Sequence, residues 1–139
     1  MRKVTATIVG AFLAHHPAAA GNNNNTDGEA LFLHGHEIAR HGEHDSAAGV
    51  FLTLAGWNTS TTKERLRGVI TMMGHQGSLV DGRPVLAIWT ARGQTLIGDP
   101  RQPNREAMDM DPTDVIFVAH PATARGLEAL AKVPAAGGR

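Results

Sequence analysis

Residues 49–70 read GVFLTLAGWNTSTTKERLRGVI and hold a strand, a turn and the opening of a helix. Val50, Leu52 and Leu54 alternate with Phe51 and Thr53, the period of a strand with one buried side. Gly56 ends it, and Asn58, Thr59 and Ser60 bring short side chains that bond nearby backbone in turns. Thr61 with Glu64 three residues on fits a capping box, in which the hydroxyl accepts from the Glu64 amide and the carboxylate reaches back to the Thr61 amide. Leu66, Val69 and Ile70 then share one helical face, and Lys63 and Arg67, four apart, share another.

The flanks extend this into an α+β chain. Residues 4–14 have helical periodicity, with Val4, Ile8, Ala11 and Phe12 on one face and Pro17 just beyond the end. The Asn- and Gly-rich residues 21–28 read as a polar loop. Residues 31–34 read as a strand, Gly35-His36 as a type II′ turn, and residues 37–40 as the returning strand. Residues 41–49 form a polar connection to a third strand at 50–55. The expected N-terminal part is a helix, a three-stranded antiparallel meander and a capped basic helix.

Beyond residue 70, Asp81-Gly82 signals a further hairpin, with Pro84 keeping its strand at an edge. Residues 86–90 suit a strand. Residues 98–112 read as a surface loop, and 114–119 as a buried strand around Val115, Ile116, Phe117 and Val118. Residues 122–133 have helical spacing, with Leu127, Leu130 and Ala131 inward, and 134–139 read as a flexible tail. Residues 1–133 are thus expected to make a single α+β domain.

Composition narrows the function. Thirteen basic and thirteen acidic residues cancel, so a general nucleic-acid coat, which needs basic excess, does not fit. The chain has no cysteine; thiolate metal sites, disulfides and cysteine nucleophiles are excluded, which suits the cytoplasm. Residues 1–21 imitate a secretory signal, but Thr5 and Thr7 interrupt the apolar run and His15-His16 closes it early. No run reaches the ~20 apolar residues of a membrane span.

Two segments, NTDG-x-x-LFLHG-x-x-IA at residues 25–39 and LAGWNTSTTKERLRG at 54–68, resemble short accessory proteins encoded by tailed phages and prophages. The resemblance covers residues 1–90. His36 departs from it, standing where such proteins carry Asn after the hairpin glycine. It implies phage accessory biology and assigns no catalytic residue.

Candidate sites fall into three groups. His34, His36, His41 and His44, with Glu37, Glu43 and Asp45 among them, are of the types that bind zinc. Without an HExxH helix, the favoured reading makes His36, His41 and His44 exposed loop residues and His34 a strand residue bonded to backbone. Ser46, Ser60 and Ser78 lie outside any G-x-S-x-G elbow, and no phosphate-binding loop is present. Asp109, Asp111 and Asp114 could pair for acid–base work, but beside Pro112 and Thr113 they suit turns better. The third group is a basic surface of Lys63, Arg65 and Arg67 at a helix N-terminus, with Arg40 on the neighbouring strand. Its plainer alternative is a solvated helix face that tolerates charge reversal. An α-β-β-β-α order with such a helix is also the plan of double-stranded-RNA-binding domains, an analogy of fold alone. Trp57 is either a lid on the core, favoured because aromatics make up only 4% of the chain, or an exposed anchor for a partner.

These features favour a non-enzymatic, phage-type accessory protein in the host cytoplasm, without a cofactor. Its expected partner is a host protein or nucleoprotein complex, with a local nucleic-acid contact possible at the basic helix. Inhibition of a host defence or nucleic-acid enzyme, as anti-CRISPR-like proteins do, is a role open to it. A metal-dependent hydrolase built on His34–His44 and a capsid decoration protein are the alternatives.

Overall fold

In the computed structural model, residues 2–21, 23–75, 85–101 and 107–134 are described. The first helix, α1 (Lys3–Leu13), buries Ile8, Val9 and Phe12 on the expected face. It ends when His15 turns left-handed at φ 60°. The His16 amide then reaches back to the Ala11 carbonyl and the His15 amide to that of Phe12, closing the orphan carbonyls of the last turn. Strands β1 (Ala18–Ala20) and β2 (Asn24–Thr26) follow, so residues 21–28 are not purely loop.

The meander comprises β3 (Ala30–Leu33), β4 (His36–His44) and β5 (Ala47–Thr53). The β3–β4 turn is His34-Gly35, with φ 53° and 78°, a type I′ turn in place of the expected II′ turn at Gly35-His36. The supposed polar connection at 41–49 is itself paired strand, reversed by Asp45-Ser46 at φ 48° and 67°. Both turns use left-handed backbone without the Asn-Gly signature, so hydrophobicity alone misplaced the strand ends. His and Asp are among the few non-glycine types that enter that region readily.

Helix α2 (Ser60–Met73) buries Leu66, Val69 and Ile70 and ends at Gly74, φ 110°. Its cap is Thr59, whose hydroxyl accepts from the Thr62 amide at 3.2 Å, and the box at Thr61 and Glu64 does not form. The remaining elements are β6 (Ala87–Ala91), β7 (Gln94–Gly98), β8 (Met108–Asp109), β9 (Val115–Ala119), a short 3-10 turn (Gly126–Ala129) and β10 (Leu130–Val133). The helix expected at 122–133 is therefore replaced by a turn and a strand. Gly126 sits at φ 61°, which a helix cannot hold, and residues 130–133 pair with β9. The hairpin expected at Asp81-Gly82 lies outside the described residues, as does most of the tail. Of the loop expected at 98–112, the described part includes β8.

Among the described residues all pairings are antiparallel, in a seven-stranded sheet of order β1-β2-β3-β4-β5-β9-β10 and a three-stranded sheet β6-β7-β8. The α+β class stands. The larger sheet carries apolar residues on both sides. Leu31, Leu33, Val50, Leu52, Ile116 and Val118 join the helices in the main core, with Ile88, Ile97 and Met110 from around the smaller sheet. Phe51, Val115, Phe117 and Ala119 form a second cluster with Ala129 and Val133. Gly49 permits that second packing: a Cβ there would lie 2.2 Å from the Val118 carbonyl oxygen and 2.7 Å from Phe117.

Candidate binding cleft

The segment joining β5 to α2 sets the site. Ala55 and Gly56 both turn left-handed, at φ 54° and 85°, and the Gly56 amide is tied to the Pro112 carbonyl at 2.8 Å. That reversal holds Trp57 outward, 53% exposed, which corrects the reading of Trp57 as a core lid. Its ring meets the His36 imidazole, centroids 5.7 Å apart and tilted by 43°. His34, His36, Trp57, Thr59, Thr61 and Thr62 line an open cleft of about 510 Å³. The β3–β4 turn and the start of α2, far apart in sequence, form its two walls.

The α2 wall is held by its own side chains. The Thr59 hydroxyl bonds the Thr62 hydroxyl at 3.0 Å as well as the Thr62 amide, so this end of α2 is fixed by its own side chains. Asn58, just before the helix, accepts from the Thr95 hydroxyl at 2.7 Å, which pins the loop to β7.

The expected basic surface is not presented to solvent as a unit. Lys63 is only 8% exposed and Arg65 3%. Lys63 Nζ donates to the Thr90 hydroxyl at 2.6 Å, and Arg67 Nε to the Ile88 carbonyl at 2.8 Å. Both cations lie against β6, an edge strand of the smaller sheet, Arg67 on a backbone carbonyl and Lys63 on a side-chain hydroxyl. Arg65 donates to Asn24 at 2.8 Å and to the Thr5 hydroxyl at 2.7 Å, and also to Glu64, stitching α2 to α1 and β2. Glu64 is drawn up by burial, but the Thr5 hydroxyl, Arg65 and the Arg2 amide outweigh this and hold its carboxyl below the ordinary range. Arg40 is paired with Glu37 at 2.6 Å on the strand. A helix pattern with Lys63 and Arg67 four apart could not reveal that a second sheet would lie against that face.

The histidines disperse. His34 is exposed in the turn and His36 joins Trp57. His41 stacks between Phe12 and His15, with centroids 4.2 and 3.9 Å away. His44 leans on Phe117 at 5.4 Å. Among the described residues no group of three or more His, Asp or Glu is placed to hold a metal ion. Asp114 accepts from the Asp111 amide at 2.8 Å and pairs with Lys132 at 3.1 Å, so it holds a turn and β10. Sequence reasoning missed the contribution of Thr59 and Thr62 to the cleft; the Thr-rich run around the start of α2 was the available signal.

Residues 1–93 match the family model described as Kyanoviridae Gp96 protein. The match includes every described residue lining the cleft. No curated protein and no solved structure matches the chain.

Proposed function

The chain belongs to the Kyanoviridae Gp96 protein family and is a phage protein; from that premise we propose that it is a non-enzymatic binding protein that engages a host protein through the Trp57 cleft. The observation that carries this reading is Trp57 itself, 53% exposed on a backbone held left-handed beneath it. A large apolar ring left in water is unfavourable for the free protein, and such rings at the centre of a contact commonly supply much of its binding energy. Modulating a host defence or nucleic-acid enzyme is the role we propose for this contact. Lys63 and Arg65 do not serve as its cations, because both are buried in structural bonds.

The test is affinity capture of host protein with the tagged chain, its Trp57→Ala variant and an Arg67→Ala control. Trp57→Ala should lose the specific partner while melting like the wild type, and Arg67→Ala should keep it. A Trp57→Ala variant that captures the same partner at wild-type yield would disprove the assignment of the surface.

A further inference from the structure

Resting on the binding reading above, we infer that the group entering the cleft is an uncharged, hydrogen-bonding aromatic side chain of the partner protein, of tyrosine type. Charge is the first argument. Among the described residues the cleft is lined by two histidines, one tryptophan and three threonines, with no Lys, Arg, Asp or Glu. Charged residues that follow the lining positions in the chain are engaged: Lys63 with Thr90, Arg65 with Asn24, Thr5 and Glu64, and Glu37 with Arg40. A phosphate or carboxylate would find no Lys or Arg side chain in this wall, only the partial charge at the start of α2, so it would regain little of what it loses on leaving water.

Hydrogen-bonding capacity is the second argument. The Trp57 indole N–H, the Thr61 hydroxyl and the ring nitrogens of His34 and His36 have no protein hydrogen-bond partner among the described residues. They line the same cleft as the half-exposed Trp57 ring, so a planar group stacked on that ring has donors and acceptors available on both walls. A purely aliphatic side chain would cover these groups without replacing their bonds to water. A volume of about 510 Å³ is ample for one aromatic side chain.

Titration of the ¹⁵N-labelled protein with small probes tests this. N-acetyl-tyrosinamide should shift the Trp57 indole and Thr61 amide signals saturably, with little change between low and high salt. The shift at Thr61 should weaken on the order of tenfold in Trp57→Ala. N-acetyl-aspartamide, N-acetyl-argininamide and uridine should bind less tightly. Tighter binding of either charged probe, or an unsaturable response to the tyrosine probe, would overturn the inferred chemistry, and tighter binding of uridine would overturn the assignment to protein. If Trp57→Ala abolishes host-protein capture while the tyrosine probe fails, the surface stands and only the ligand chemistry falls. If capture survives Trp57→Ala, the surface itself is wrong.

Discussion

Two threonines two residues apart illustrate what a single position decides. Thr61 and Glu64 have the spacing of a capping box, yet Thr59 is the cap, because the backbone leaves extended geometry there, at φ −109° and ψ 157°. Glu64 meanwhile is drawn away to Thr5 and Arg65, partners no local pattern contains. The sequence therefore reveals that a Thr-capped helix begins here but not which threonine caps it. Thr59→Ala should cost about 1 kcal/mol in urea denaturation, since it strips the bond to the Thr62 amide. Thr61→Ala should cost only a few tenths of that amount, because Thr61 caps nothing. The opposite ranking would restore the capping box.

Helix α2 shows how far pattern reaches at the level of an element. Its apolar face was legible, since Leu66, Val69 and Ile70 recur at helical spacing and all are buried. Its polar face was not, because solvation and tertiary contact leave the same charged residues in the sequence. The same limit applies at residues 122–133, where Ala, Leu and Lys favour helix locally but pairing with β9 and the left-handed Gly126 prevail. Expectations for the charges on α2 consequently reverse. Taken as solvated, Lys63 and Arg67 could both become Glu without harm. With Lys63 bonded to Thr90 and Arg67 to Ile88, the double change sets a carboxylate against a carbonyl oxygen and should lower stability by roughly 2–4 kcal/mol. Arg65→Ala should cost on the order of 3 kcal/mol by leaving Thr5, Asn24 and Glu64 without their shared donor. Arg65→Lys should recover little of this, since an ammonium cannot reproduce the two-pronged contact. Melting temperatures within about a degree of wild type for these variants would show that these contacts contribute nothing.

Across the whole molecule, the ends of both helices meet the large sheet through histidines. His41, on β4, donates from Nε2 to the Phe12 carbonyl at 2.7 Å at the end of α1. His75, just after α2, donates to the Ala119 carbonyl at 2.8 Å at the end of β9. Burial pushes the His41 imidazole below its ordinary value; the Phe12 carbonyl and Glu29 oppose this, while His15 and His120 reinforce it. Burial likewise lowers His75, opposed by the Ala119 carbonyl and reinforced by Arg125 and His120. Both rings are thus held neutral in the fold, whereas in the unfolded chain they protonate near the ordinary 6.5. Between the folded and unfolded values the unfolded state binds more protons, so stability is full above about pH 6.5 and declines as pH falls from there toward the folded values. Glu64, whose carboxyl is held low, adds a separate loss only in stronger acid, as pH falls below the ordinary carboxyl range. Melting temperature measured from pH 8 to pH 5 should therefore fall with acidification. His41→Gln and His75→Gln each keep an uncharged N–H donor and should flatten part of that slope, the pair together more than either alone. A melting temperature independent of pH across this interval in the wild type would mean that protonating these rings costs the fold nothing, and the two helix ends are then held by apolar packing alone.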